Sequence, residues 1–265
     1  MTTIWLIVSL AIGLSAAMAI AWQVILRTGN SGFADVFWSY SIGVAGLIAA
    51  LAPIGETAPG LRNWIVAGLV AVWSLRLGTH ILRRTLKGGD DPRYAQLRKE
   101  WGDNYRQQLL LFLQIQALAG FILALSAMAA AHNPAPFGWL DVLGIVVAII
   151  AIGIEAISDA QLSRFKADSS NHGKVCDTGL WGLSRHPNYV GEVLYWVAFP
   201  LLAIGYGYGW FALAAPVMMY WLLVHVSGIP PLEAHMLRSR PDAFADYQRR
   251  VRAFWPIPKP NGESG

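Results

Sequence analysis

Between two apolar stretches the chain reads Gly179-Leu180-Trp181-Gly182-Leu183-Ser184-Arg185-His186-Pro187-Asn188-Tyr189-Val190-Gly191-Glu192. This puts an Arg, a His, an Asn and a Glu at the mouth of an apolar helix. Polar groups that enter a membrane span are costly unless they are paired or wetted, so they mark sites. Pro187 suits the first turn of the following helix, where no backbone donor is lost. The free donors of that turn, with Arg185 beside them, suit a phosphate-bearing ligand. An interfacial anchor, with Arg and His at the surface and Tyr and Trp in the aromatic belt, explains any one of these residues. The cluster as a whole points to function.

Other polar residues also need a reason to be in apolar surroundings. Arg76 lies within Trp73-Ser74-Leu75-Arg76-Leu77-Gly78-Thr79-His80, where it requires a partner, a cavity or a bound anion. Snorkelling towards the surface is the competing reading. Glu155 and Asp159 are one turn apart and share a helix face, with Gln161, Arg164 and Lys166 following. Such acids suit hydroxyl or amide recognition, and the bases suit phosphates. Glu192 shares a face with Asn188 and with Tyr195 or Trp196. Asp35 opens an apolar stretch ahead of Trp38 and Tyr40, and helix capping explains it equally well. Glu56 reads by spacing as a loop carboxylate. Gly88-Gly89-Asp90-Asp91-Pro92-Arg93-Tyr94 could cradle an anion or a ribose, or simply turn the chain. The segment from Glu233 through Tyr247 and Arg250 to Phe254-Trp255-Pro256 has the character of a basic amphipathic helix on a lipid surface.

The elements that position these residues are membrane helices. Of 265 residues, 55% are hydrophobic and 14% charged, against about 25% charged in soluble domains. Apolar runs at about 3–26, 36–54, 63–82, 109–131, 138–160, 189–205 and 209–228 predict an all-α polytopic membrane protein of seven transmembrane helices. With the N-terminus outside and the C-terminus cytoplasmic, every Lys and Arg except Arg62 and Arg76 falls on the inner side, as the positive-inside rule requires. No internal repeat is visible, and residues 1–265 read as one membrane domain. Cys176 is the single cysteine, which excludes an internal disulfide. His172, His186, His225 and His235 are not at metal-ligand spacing, so no metal is expected. The net charge of +4 follows from topology, and no nucleic-acid partner is expected. Nucleotide-loop, zinc-protease and serine-hydrolase signatures are absent.

Glu155-Ala156-Ile157-Ser158-Asp159 through Lys166, the Arg185-to-Glu192 stretch, and the tail Glu233, Asp246-Tyr247 and Phe254-Trp255-Pro256 resemble the steroid 5-alpha-reductase family, closest to its bacterial branch. Trp73 to Leu77 and Asp91-Pro92-Arg93-Tyr94 fit more loosely. The resemblance spans about residues 30–258, and its specific motifs lie at about 139–258. It implies a 3-oxo-5-alpha-steroid 4-dehydrogenase-like enzyme with a seven-helix fold. Such an enzyme passes hydride from NADPH to the beta carbon of a 3-oxo-4-ene steroid and protonates the alpha carbon. A donor is needed where enolate charge develops on the ketone oxygen. In the family a Glu and a Tyr supply it. Glu56 falls near the Glu. The Tyr position falls in the third span, which has no Tyr, so Arg76, His80 and Tyr40 are the alternatives. By the same resemblance Asp159, Lys166, Arg185, His186, Asn188, Tyr189 and Glu192 bind NADPH, with Glu155 where some members have Asn. Arg93, Tyr94, Glu233 and Tyr247 complete the cofactor set.

The expected partners are a steroid or isoprenoid-like enone and the lipid bilayer. The chain is expected to act as a monomeric integral membrane protein, in the inner membrane if its source is bacterial, its cofactor site facing the cytoplasm. The Arg-His-Pro-x-Tyr-x-Gly stretch and the Glu-containing tail also resemble isoprenylcysteine and phospholipid methyltransferases, which use S-adenosylmethionine and have fewer spans. A lipid-binding or transport bundle is a third reading, without the paired inverted halves that transporters show.

Overall fold

A computed structural model describes residues 2–54, 58–88 and 92–258. Helices α1 (Thr3–Thr28), α2 (Phe33–Leu51), α3 (Leu61–Leu86), α4 (Pro92–Trp101), α5 (Tyr105–Ala131), α6 (Trp139–Ala167), α7 (Pro187–Ala203), α8 (Ala214–Trp221), α9 (Ile229–Ser239) and α10 (Pro241–Arg250) follow in order. Among the described residues there is no strand. Within those residues six helical stretches are long and apolar enough to cross a membrane: Thr3–Thr28, Phe33–Leu51, Leu61–Leu86, Arg93–Ala131, Trp139–Ala167 and Gly209–Ser239. The run expected at 189–205 forms α7, whose 17 residues extend about 25 Å, short of a hydrocarbon core about 30 Å thick.

The chain divides into two compact units, residues 1–144 with 199–215 and residues 145–198 with 216–265. In the first, α2 packs against α1, α3 and α5. Helix α1 contributes a ridge of Leu6, Leu10, Leu14, Met18, Ala21 and Ile25, the stripe that 3.6-residue periodicity brings to one face. Small residues let the backbones approach, as membrane helices require. A Cβ on Gly46 would meet Val70 at 2.7 Å, and one on Gly120 would meet Ile42 at 2.9 Å.

One end of this unit is closed by Arg62. Its guanidinium donates to both oxygens of Asp141, at 2.6 and 2.9 Å, and to the carbonyls of Asn133, Ala135 and Pro136. Asn133 in turn donates to the carbonyls of Leu202 and Ile204. Both charged side chains are buried. Nothing in the local pattern announces this clamp. Its one sequence signal is Asp141, an acid opening an apolar run 79 residues beyond Arg62.

In the second unit α7 lies tight on α6. A Cβ on Gly191 would sit 2.6 Å from Glu155 Cγ and 2.9 Å from the Ala151 carbonyl. After α8 a π-helical turn, Leu222–Val226, leads into α9. Helices α9 and α10 pack on each other. Phe244, Tyr247 and Val251 gather there with Val175 and Met236 in a small apolar core.

Candidate functional site

The polar centre of the second unit is Glu233, on α9. Arg185, in the segment before α7, grips it with Nε to Oε1 at 2.8 Å and Nη2 to Oε2 at 2.9 Å, a fork that matches a carboxylate. His186 Nε2 lies 3.0 Å from Oε1, and Gln248 Nε2 donates to Oε2 at 2.7 Å. Arg185 Nη1 also donates to the Val251 and Gln248 carbonyls, and its backbone N–H donates to Arg252 O. Tyr247 adds a second tie, its hydroxyl donating to the Trp181 carbonyl at 2.5 Å. Trp181 Nε1 donates to Ser158 O on α6, and Ser184 Oγ donates to Ala253 O. Segment 181–186 is therefore stitched to α6, to α9 and to the tail at once. Burial raises the Tyr247 phenol well above its ordinary range. Burial also lowers the His186 imidazole, against the upward pull of Glu233.

This anchored segment delivers the start of α7. Tyr189 stacks on His186 with ring centroids 5.3 Å apart. The Asn188 amide oxygen accepts from the Tyr189 backbone N–H, and both side chains are half-buried. One turn on, Glu192 is buried and accepts from Trp196 Nε1 at 2.9 Å. Glu155 is buried on α6, and the Gly191 contact sets it against the α7 backbone. Asp159 is half-buried, and Lys166 is exposed near the end of α6. Gly179 has φ +62°, and its missing side chain makes room for the Gln161 amide, which accepts from Leu180 N.

The remaining candidates lie in the first unit. Arg93 donates to Asp35 Oδ2 at 2.5 Å, and the Tyr94 hydroxyl donates to Oδ1 at 3.2 Å. Asp35 therefore holds α4 onto α2 besides standing in the first turn of α2. Tyr40 shares a hydrogen bond with Thr79, oxygen to oxygen 3.0 Å, and its ring covers Gly78. Arg76, Thr79 and His80 share a face of α3 by their spacing, and all three are half-buried. Glu56 lies outside the described residues. Thr79, Gln116, Ser184 and Gln248 were not among the sequence candidates. Uncharged and scattered, they emit no signal in a sequence beyond their polarity.

The chain is 26% identical to an uncharacterized protein of Schizosaccharomyces pombe over 270 aligned residues, covering 89% of this chain and 76% of that protein. No solved structure matches it. The model of a protein family of unknown function, DUF1295, matches residues 21–251, and the chain therefore belongs to the DUF1295 family.

Proposed function

We propose that the protein is a membrane NADPH-dependent reductase of the C4–C5 double bond of 3-oxo-4-ene steroids or similar enone lipids. The observation that supports this most is the Glu233 hub. It anchors the Arg185–Tyr189 segment, the part of the chain that resembles steroid 5-alpha-reductases, ahead of α7. A nucleotide calls for cationic and amide donors at its phosphates and for acids at its ribose hydroxyls. Lys166 and Asn188 offer such donors and Asp159 such an acceptor, on half-buried or exposed side chains. Arg185 does not, because all three guanidinium nitrogens already donate to protein acceptors. In this reading Arg185, His186, Glu233 and Tyr247 position the segment. Asp159, Lys166, Asn188 and Tyr189 touch the cofactor, with Glu155 and Glu192 beneath them; Arg93 and Tyr94 stay in the cofactor set on resemblance.

NADPH, when bound, supplies the hydride to the carbon beta to the ketone. The protein's part is to stabilise the negative charge that develops on the ketone oxygen. The Tyr40–Thr79 hydroxyl pair, flanked on α3 by Arg76 and His80, is the described group of donors suited to that task. Glu56 stays in the proposal on resemblance. We also place seven spans in the membrane, counting α7, with the N-terminus outside and this cofactor site on the cytoplasmic side.

The first test is thermal stabilisation of the purified protein by NADPH, NADH and S-adenosylmethionine in parallel, then NADPH consumption with a 3-oxo-4-ene steroid. A ligand at 100 times its Kd adds about 2.7 kcal/mol. Stabilisation by NADPH with steroid-dependent consumption supports the proposal. Stabilisation by S-adenosylmethionine alone replaces it with methyl transfer.

A further inference from the structure

On sequence the segment around Arg250 is a basic amphipathic helix suited to a lipid surface, but α10 turns its apolar face into the protein. Phe244, Tyr247 and Val251 are buried there with Val175 and Met236. The apolar side chains left outside belong to the tail that follows. Trp255 is 55% exposed and Ile257 58%, and Leu183, which lines the same cleft as Ile257, is 52% exposed.

Tyr220 fixes where this tail runs. Its ring meets Phe254 edge-on at 5.2 Å and lies 5.9 Å from Trp255. Tyr220 stands on α8, within the apolar stretch Gly209–Ser239. The tail therefore follows the flank of a stretch able to cross a membrane. An exposed aromatic ring with aliphatic neighbours in that position has the character of an anchor at the level of the lipid headgroups.

Basic residues share the place. A cleft of about 160 Å³ opens between Gly182–Leu183 and the tail, lined by Arg250, Val251, Arg252, Ile257 and Pro258. A water takes about 30 Å³ of the liquid, so the space admits a group the size of a phosphate. Arg250 donates Nε to Asp246 and Nη2 to Asp177, each at 2.9 Å. These bonds orient the guanidinium and leave Nη1 without an acceptor among the described residues. Arg249 also donates to Asp246, at 3.0 Å. With Arg252 the cluster sets three arginines against two aspartates and is net positive. Guanidinium groups at a small cleft match the oxygens of a phosphate.

We propose that this cleft binds the phosphate of an anionic phospholipid, with Arg250 and Arg252 at the phosphate and Leu183, Trp255 and Ile257 against the glycerol and the first acyl carbons. A soluble phosphate ester gains nothing from the apolar rim. A zwitterionic lipid brings an ammonium group that the arginines repel. None of these side chains belongs to the Glu233 hub or to the cofactor set, so the site is separate from the reductase reading.

The test is native mass spectrometry of the full chain in detergent without NADPH, titrated with dioleoyl phosphatidylglycerol or with dioleoyl phosphatidylcholine. The first phosphatidylglycerol should bind about tenfold or more tighter than the first phosphatidylcholine, as two arginines at a headgroup imply. Ile257→Glu puts a carboxylate at the rim from an exposed position and should bring the two affinities to within about twofold. Ile257→Gln should keep the preference. Arg250→Gln combined with Arg252→Gln should remove it, with melting temperatures recorded for every variant. Equal affinities in the wild-type chain, or a preference that survives in Ile257→Glu, overturn the proposal. Inorganic phosphate and NADPH are then added as competitors. Displacement of phosphatidylglycerol by either makes the cleft a site for a soluble phosphate and also overturns the proposal, whereas retention of the lipid against both supports it.

Discussion

Arg185 and Asn188 are three residues apart and are expected to fail differently. Removing the Arg185 side chain leaves Glu233 in a largely buried position without its cation, a change that typically costs about 3–5 kcal/mol. Arg185→Ala should therefore lower the melting temperature sharply and lose NADPH binding as a consequence. Wild-type melting in that variant would remove the anchoring role. Asn188→Ala leaves the hub intact, so it should weaken NADPH in a titration with the melting temperature unchanged. The sequence alone treats the two residues alike, because resemblance assigns both to the cofactor. Only the fold shows that one guanidinium faces inward. His186 supplies a pH test. Burial lowers its native pKa, so the unfolded chain takes up that proton at a higher pH than the folded chain does. The linked stability is complete above the unfolded value of about 6.5 and is lost as the pH falls through it towards the lowered native value. Thermal melts between about pH 7 and pH 5 should show this loss in the wild type, with a smaller step in His186→Gln.

The helices were legible because lipid demands long apolar runs, and most run ends agree with the helix ends to within a few residues. Helix α4 was not legible. Its ten residues are polar and read as loop, and what holds it is the bond from Arg93 to Asp35, 58 residues away. The π-helical turn before α9 was not legible either. Contact between α6 and α7 depends on one missing side chain. Gly191→Ala would press a methyl group against Glu155 Cγ and the Ala151 carbonyl. Overpacking of this kind costs about 1–3 kcal/mol. The variant should melt lower and bind NADPH more weakly, while an unchanged melt would mean that the two helices have room to move apart.

For the whole molecule the decisive question is the number of crossings, since α7 is short. An odd count puts the termini on opposite sides, and an even count puts them on the same side. In a Cys176→Ser background, a membrane-impermeant maleimide should label Thr2→Cys in intact cells. It should label Arg249→Cys only after lysis. Equal labelling of both in intact cells would reduce the count to six. The Arg62 clamp also bears on how the chain is assembled. Its carboxylate lies 79 residues further along, and the Asn133 that shares it bonds to Leu202 and Ile204. Arg62 therefore enters the bilayer region during synthesis without the acid that later neutralises it. The latch closes only when most of the polypeptide has been made. A nascent chain stalled after α5 would carry an exposed, uncompensated cation, a mark by which quality control can tell an unfinished bundle from a completed one.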